Sequence, residues 1–340
     1  MTIFRKLIKW VGQPLGLLVL TVWISPALHA ATLKIATLSP EGSGWMKVLR
    51  KHASQVEQRT DGEVKFKFYP GGVMGDDKAV MRKMRVGQLH GAVVTAGGLV
   101  QAFPDIVLYN LPLLFRSDAE VDFVRQKLDD ELMRRMQQKK FVGFGLAEVG
   151  FAYPMMQQPA TSVSQLRQRK VWAPDNDPGS LEAYRAFDIS PIPLPIADVL
   201  AGLQTGLIDS IGSPPIGAIA LQWHTQVEYA LEVPLIYVYG TLAISQRAFG
   251  RLSAEHQEIV REELGQAVQA VERSSRSDHL SAKAAIAGQG IEWLQPSDEE
   301  MVEWQQLASA AREATVRDGY ISQDLYTQVQ SLLEEFRNGG

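Results

Sequence analysis

The sequence predicts an α/β protein of two domains. Its 340 residues correspond to about two domains of roughly 150 residues each. A composition of 46% hydrophobic and 21% charged residues is typical of a chain that buries large cores. Segments typical of strands and of helices alternate twice along the chain, which indicates parallel strands joined by right-handed crossovers. Two such units with a hinge between them would enclose a cleft at the carboxyl ends of the strands.

The first α/β unit spans residues 33–95. Its predicted strands are Leu33–Thr37, Val64–Tyr69 and Ala92–Thr95. Val64–Tyr69 alternates apolar residues with lysines, which is the period of a strand with one buried face. Apolar residues spaced by three and four predict a helix over Trp45–Thr60, and a second helix is predicted over Asp77–Leu89.

The second unit begins near Phe141 with the segment FVGFGLAEVG. It continues with the strand Lys170–Ala173 and a helix over Ser180–Phe187. The helix Ala197–Leu207 and the strand Asp209–Gly212 complete it. The alternation again predicts strands that are joined by helices.

The last third of the chain is predicted to be helical. Ser253 precedes a long segment with an apolar stripe and can cap a helix there. Ser297 and Glu300 have the spacing of a capping box, which predicts the start of another helix. A final helix is predicted over Ser322–Phe336.

Composition and motifs exclude most kinds of catalytic site. The chain has no cysteine, which excludes disulfides, thiolate metal sites and thiol nucleophiles. Its formal net charge of −4 argues against nucleic acid as the main partner. The metalloprotease pattern H-E-x-x-H and the nucleophile pattern G-x-S-x-G are both absent. We therefore expect no enzymatic activity, no metal and no cofactor.

Residues 1–30 have the layout of a secretory signal. Arg5, Lys6 and Lys9 precede a short apolar run, Leu15–Leu20, and small residues follow. The uninterrupted apolar run is shorter than the roughly 20 residues that a membrane-spanning helix needs. We expect export to the periplasm, with cleavage near Ala30.

Several segments together resemble one family of transport proteins. They are LKIATLSPEGSGWMKV, YPGGVMGDDKAV, FPDIVLYNLPLLF and LPIADVLAGLQTGLIDS, with NLPLLF and LQTGLID the most specific. The chain is similar to the extracytoplasmic substrate-binding proteins of tripartite ATP-independent periplasmic (TRAP) transporters, of the dicarboxylate-binding type. These stretches run from Leu33 to about Phe249, with a helical tail of suitable length behind them.

The resemblance implies a two-domain fold like that of periplasmic binding proteins, with a hinge, crossing strands, a long connecting helix and a central cleft. Domain I is expected over 32–150 plus about 240–280. Domain II is expected over 151–239 plus about 281–340. The resemblance also implies a small-molecule ligand and, as partners, the membrane permease subunits of the transporter.

The sequence departs from the family pattern at the positions that usually bind a carboxylate. Where a K-I-R-V-P strand supplies an arginine, the segment KVWAP places Trp172. Where a second arginine commonly follows N-G-F, the segment EVGFA places Ala152. Ser213 stands where the family commonly has asparagine, and Ile196 stands where an aromatic residue often covers the ligand.

These replacements change the charge of the expected site. An arginine gives a carboxylate charge-assisted hydrogen bonds worth about 1.5–3 kcal/mol each. Burying an unpaired carboxylate costs several kcal/mol. The sequence therefore predicts a small neutral or hydrophobic ligand. It is similar in this respect to a branch of the family that lacks the arginine and works with tetratricopeptide-repeat partner proteins.

Four further residues complete the predicted ligand-binding set. They are Glu148 near the hinge, Asn176 as a donor to a neutral polar group, Thr95 at a strand end and Trp45 at a helix start.

Three alternatives stay open. Lys170 or Arg185 could supply a substitute cation for a carboxylate ligand. Trp172 could pack as core with no ligand beside it. The protein could also serve as a sensory binding protein of the same fold.

Overall fold

The structure, a computed structural model, describes residues 30–175 and 178–339. The predicted signal sequence therefore lies, apart from Ala30, outside the described residues. The strands are β1 (Ala31–Thr37), β2 (Val64–Tyr69), β3 (Gly91–Thr95), β4 (Phe141–Gly143), β5 (Ala147–Met156), β6 (Trp172–Pro174), β7 (Ile192–Leu194), β8 (Ser210–Ser213), β9 (Tyr229–Leu231), β10 (Ile236–Ser245) and β11 (Glu292–Leu294).

Helices pack around these strands. They are α1 (Gly44–Arg59), α2 (Asp77–Val86), α3 (Ala96–Leu99), α4 (Asp118–Gln138), α5 (Val163–Leu166), α6 (Pro178–Ala186), α7 (Val199–Gln204), α8 (Pro215–Ala220), α9 (Gln246–Phe249), α10 (Ala254–Gly288), α11 (Asp298–Arg317) and α12 (Gln323–Gly339). Short 3-10 helices span Pro104–Asn110, Ile196–Asp198 and Trp223–Gln226.

Local sequence signals explain where the elements begin and end. The Ser43 hydroxyl accepts the N–H of Met46 at 3.4 Å and caps α1. Ser297 and Glu300 form the predicted capping box at the start of α11. In β2, Val64 and Phe68 are buried, while the two lysines between them face outward.

The strands form two connected groups. In the first lobe, β1 pairs in parallel with β2 and β3, and β10 runs antiparallel to β3, β4 and β5. In the second lobe, β5 runs antiparallel to β8 and β9, and β9 is parallel to β11. The long strand β5 thus pairs with β10 at one end and with β8 at the other, so it crosses between the lobes. This architecture confirms the predicted α/β fold with two domains. The parallel pairing that was predicted for both units holds for β1, β2 and β3 and for β6 with β7, whereas β5 is antiparallel to all its partners because it crosses between the lobes.

Helix α10 joins both lobes. It has 35 residues, which corresponds to about 50 Å at 1.5 Å per residue. Val260 and Leu264 belong to the core around Ile35 in the first lobe. Near the other end of α10, Ile286 belongs to the core around Trp172 in the second lobe. This is the long connecting helix that the sequence resemblance implies.

The two C-terminal helices pack on different lobes. Trp304 of α11 lies in the core that contains Phe187, in the second lobe. Leu325 and Val329 of α12 lie in the core that contains Leu132 of α4, in the first lobe. The predicted domain boundaries remain a proposal, and this packing favours moving α12 from domain II to domain I. None of the helices in the described part of the chain combines the length and the apolar character that crossing a bilayer requires.

A β-bulge and a glycine mark the crossing point of β5. The register between β5 and β10 shifts beside Val238, whose partner is Gly150. Gly150 has a φ of +115°, which residues with a side chain rarely adopt. A Cβ at this position would overlap the imidazole of His279 on α10. Glycine therefore allows α10 and β5 to approach each other at the hinge.

We expect Gly150→Ala to destabilise the protein by about 2–3 kcal/mol, because it adds both backbone strain and overlap with His279. Gly288→Ala is the matched control, since Gly288 lies at the end of α10 with open space around it. That control should be neutral or stabilising by up to about 1 kcal/mol. Urea unfolding of both variants measures the difference, and equal stabilities would contradict this view of the hinge.

Candidate functional site

A cavity of about 240 Å³ lies between the lobes. The first lobe contributes Thr95 at the end of β3 and Asn110 at the end of a 3-10 helix. The second contributes Trp172 from β6 and Ser213 from β8. The polypeptide segments that cross between the lobes also line the cavity, so its shape depends on the hinge.

The structure brings together five of the sequence-predicted site residues. Trp172, Ala152, Ser213, Ile196 and Thr95 all line the cavity. They come from β6, β5, β8, the 3-10 helix Ile196–Asp198 and β3, respectively. Residues that are far apart in the sequence therefore meet at one site.

Trp172 is fixed in place by its neighbours. Its side chain is buried, and its Nε1–H donates to the carbonyl oxygen of Leu194 at 2.9 Å. Its ring lies edge-on to that of Trp223, with centroids 5.3 Å apart. The indole both belongs to the second lobe's core and lines the cavity. Packing and ligand contact are thus compatible at this position.

Apolar side chains dominate the cavity lining, and none of the described residues that line it carries a charge. The apolar lining includes Val107, Leu111, Pro112, Val149, Ala152, Leu166, Trp172, Phe187, Ile196, Trp223, Leu235 and Val238. The undescribed positions beside β6 are Asn176 and Asp177, and neither is basic.

The two basic residues considered as substitute cations do not line the cavity. The Nζ of Lys170 donates to the carbonyl oxygen of Gly206 at 2.8 Å. Arg185 is exposed on α6 and is not among the lining residues. A carboxylate in the cavity would have no cationic partner among the described residues.

Two other predicted site residues, Trp45 and Glu148, lie outside the cavity lining. Trp45 packs against the first lobe's core and does not line the cavity. Glu148 is buried and also lies outside the lining: its Oε2 accepts from the hydroxyl of Tyr237 at 3.2 Å and from Nε of Arg276 at 3.3 Å. Burial raises the pKa of Glu148, while the positive charge of Arg276 opposes that rise. Asn176 lies outside the described residues.

Several polar residues of the lining were not predicted, and Tyr184 and Asn110 are two of them. Tyr184 of α6 lines the cavity, and burial raises the pKa of its hydroxyl to about 12. Asn110 also lines the cavity, and its Oδ1 is shielded from solvent without a hydrogen-bond partner. Asn110 is the first residue of the NLPLLF segment that carries the family resemblance, but that resemblance does not mark it as a ligand contact.

A second, larger depression of about 720 Å³ has a different set of lining residues. It is lined by residues of α11, α12 and the loop before α4, including Gln305 and Glu334. The interdomain cavity is the better candidate for a ligand site, because the predicted site residues meet there. Within the described residues there is also no cluster of side chains that could hold a metal ion.

One ion pair joins the lobes beside the cavity. Nζ of Lys78, on α2, lies 2.6 Å from Oδ2 of Asp175. Asp175 directly follows Pro174, which lines the cavity. The pair links a helix of the first lobe to the strand that carries Trp172.

The chain was compared with known proteins. Residues 35–317 match the model of the family described as bacterial extracellular solute-binding protein, family 7. The chain belongs to this family. Its members include the TRAP solute-binding proteins, which confirms the resemblance seen in the sequence. Proteins of this kind are transport components and not enzymes.

Curated relatives in this family are distant. The chain is 24% identical over 245 residues to the 2,3-diketo-L-gulonate-binding periplasmic protein YiaO of Escherichia coli, covering 71% of this chain and 74% of that protein. It is 23% identical over 212 residues to an uncharacterized protein of Haemophilus influenzae, covering 61% of this chain. That match spans 62% of the Haemophilus protein's length.

A solved structure shows the same fold. The galactonate complex of the sugar acid binding protein DctPAm from Advenella mimigardefordensis has a TM-score of 0.82 at 17% identity. It covers 89% of this chain and 98% of that chain. At this identity the likeness concerns the fold alone.

We expect Lys78→Met to lower the ratio of closed to open protein by up to about fivefold, because an exposed ion pair contributes up to about 1 kcal/mol. The effect should shrink at high salt. The measurement is the distance between two spin labels, one on each lobe. Because the chain has no cysteine, the spin labels attach only to the two cysteines that are introduced for this experiment.

Lys65→Met is the matched control for this change. Lys65 pairs with Glu57 at 3.0 Å, and both residues lie within the first lobe. This variant should leave the distance distribution unchanged. Equal effects of the two variants would argue against a role for Lys78 in holding the lobes together.

Proposed function

We propose that this chain is the periplasmic solute-binding component of a TRAP-type transporter, and that its ligand is a small, uncharged and largely apolar molecule. Family membership and the two-lobed fold support the first part. In this role the protein binds its ligand between the lobes and delivers it to membrane permease subunits. The signal-like layout of residues 1–30 fits export to the periplasm.

The observation that carries the ligand proposal is the absence of charge among the described residues of the cavity lining. A buried carboxylate without a cationic partner costs several kcal/mol. Apolar contact in the same place is favourable, at about 25 cal/mol for each Å² removed from water. The free energy of binding in this cavity is therefore favourable for an uncharged ligand and unfavourable for an anion.

Trp172 supports the same conclusion. It stands where the family commonly has the carboxylate-binding arginine, and its Nε1–H already donates to Leu194. The hydroxyl of Ser213 likewise donates to the carbonyl oxygen of Pro214 at 3.0 Å. The indole N–H of Trp172 is therefore not available to an anionic oxygen, and the Ser213 hydroxyl could donate to one only by giving up its bond to Pro214. Together with Ala152, Ile196 and Thr95, they form the proposed ligand-contacting set.

A carboxylate-containing solute is the second candidate. It is favoured by the structural neighbours, among them the one bound to galactonate and a TRAP solute-binding protein of Desulfovibrio salexigens with bound orotic acid. For this chain it would require a cation to move into the cavity. The hydrogen bond from Lys170 to Gly206 places that side chain elsewhere, which is why we favour the uncharged ligand.

The partner proteins belong to the same proposal. Membrane permease subunits are proposed as partners because the solute-binding proteins of TRAP-type systems work with them. A tetratricopeptide-repeat protein in the periplasm is a further proposed partner, because the chain shares the missing arginine with the branch that uses one. Co-purification from the native host distinguishes these partners from a sensory receptor of the same fold.

Benzoate and benzamide form a matched pair of probes for the ligand proposal, since they differ little in shape and by one unit of charge. Isothermal titration of the mature protein should show saturable binding of benzamide at millimolar concentration and weaker binding of benzoate. Tighter binding of benzoate would contradict the proposal and favour the second candidate.

We expect Trp172→Arg to reverse this preference and to raise the affinity for benzoate relative to benzamide by about 10- to 100-fold. That range, about 1.4–2.7 kcal/mol, corresponds to one charge-assisted hydrogen bond. Trp172→Gln is the control, because it also removes the indole but adds no charge, and it should not favour benzoate. Both variants lose about 3 kcal/mol of packing, so melting curves must first show that both are folded.

A further inference from the structure

The hydroxyl of Tyr184 has no hydrogen-bond partner within the described part of the chain, yet water can reach it. Tyr184 lies on α6 of the second lobe and lines the interdomain cavity. Its hydroxyl oxygen is not one of the partnerless atoms that the protein seals off from solvent. In this it differs from the amide oxygen of Asn110, which is sealed off. The hydroxyl therefore borders an open space.

That open space is the cavity and not the outer surface. Burial alone raises the pKa of the Tyr184 hydroxyl to about 12, which places the oxygen inside the protein. A Cβ at Gly212 of β8 would lie 3.9 Å from the hydroxyl oxygen, and Gly212 also lines the cavity. The phenol thus reaches from α6 to the strand that carries Ser213.

The second lobe holds the phenol ring in this position. The ring packs against the core that contains Phe187 and Trp304. The carbonyl oxygen of Tyr184 accepts the N–H groups of Phe187 at 3.1 Å and of Ile189 at 3.0 Å, which fixes the end of α6. A side chain that is already ordered loses little conformational freedom when a ligand binds.

Other donors on the same side of the cavity are used within the protein. The indole N–H of Trp172 donates to the carbonyl oxygen of Leu194. The hydroxyl of Ser213 donates to the carbonyl oxygen of Pro214. The fold therefore leaves the hydroxyl of Tyr184 available to the contents of the cavity.

Binding makes this hydroxyl selective. A ligand that fills the cavity displaces water from the hydroxyl, and a polar group that loses water without gaining a partner weakens binding. Because its pKa is raised, the phenol keeps its proton at neutral pH and can donate it to an acceptor oxygen. A ligand with such an oxygen is therefore favoured over one of the same shape without it.

We propose that Tyr184 is a specificity-determining residue, whose hydroxyl donates a hydrogen bond to a neutral acceptor oxygen of the ligand. This inference rests on the proposed function and narrows it. The preferred solute is an uncharged, largely apolar molecule that carries a carbonyl group. Amides, ketones and esters have this chemistry, whereas hydrocarbons of the same shape lack the acceptor.

Acetophenone and 2-phenylpropene test the need for an acceptor, because they have nearly the same shape and only acetophenone has a carbonyl oxygen. In Tyr184→Phe the affinity of the full-length mature protein for acetophenone should fall about fivefold, which corresponds to one neutral hydrogen bond. The affinity for 2-phenylpropene should stay the same or rise, because this ligand offers the hydroxyl no partner. Isothermal titration of both proteins with both ligands gives the four dissociation constants. Their double ratio removes the difference in hydrophobicity between the two ligands.

Tyr69→Phe is the matched control, since it removes a tyrosine hydroxyl in β2, outside the cavity lining, and should leave both affinities unchanged. Without ligand, Tyr184→Phe should melt at the wild-type temperature, because the hydroxyl has no partner inside the described protein. A lower melting temperature, an unchanged affinity for acetophenone or an equal loss for both ligands overturns the inference. The absence of saturable acetophenone binding at millimolar concentration overturns it as well.

The proposed function fails by a different result. If benzoate binds more tightly than benzamide, the uncharged class of ligand is wrong, whatever Tyr184 does. The comparison of acetophenone with 2-phenylpropene involves no charged ligand, so it still reports on the Tyr184 hydroxyl in that case. The two conclusions are therefore tested separately.

Discussion

One electrostatic constraint governs the ligand site: the described residues that line the cavity between the two lobes offer no charged partner to its contents. Water is displaced when such a cavity is filled, and an ion then loses hydration that only an opposite charge could replace. Trp172 occupies the position where a related chain would commonly supply that charge. The cavity's apolar lining, its small volume and its few polar atoms are all consistent with an uncharged solute.

The hinge determines how that cavity is formed. Strand β5, strand β10 and helix α10 meet there around a buried polar network. Arg125 of α4 donates to the hydroxyl of Tyr237 at 2.8 Å and to Glu272 of α10 at 2.6 Å. Tyr237 in turn donates to Glu148, which Arg276 also contacts. Satisfied networks of this kind fix one arrangement of their elements, so the crossing segments hold the lobes in a defined relation.

Much of the fold could be predicted from the sequence, because local pattern and burial agree. Strand β2 was predicted to the residue from its alternation, and α1 to within one residue from its spacing and its cap. Helix α4 lacked a clear pattern, since its buried face includes the charged residues Glu120 and Arg125. Strand β10 is buried along most of its length and shows no alternation. Such elements are specified by partners that are distant in sequence.

The site was predicted less completely. Resemblance to the family located Trp172, Ala152, Ser213 and Ile196, which the fold brings together. Glu148 was predicted as a ligand contact, but its partners are residues of the hinge. Asn110 and Tyr184 were not predicted, because which side chains line the cavity depends on how distant segments of the folded chain meet.

The most direct measurement is the chemical identity of the compound that the protein carries when it is purified from its own periplasm. Native mass spectrometry would give the mass of the bound molecule, and organic extraction would release it for identification. We expect an uncharged, largely apolar compound. A sugar acid or another carboxylate held by a basic side chain between the lobes would contradict it.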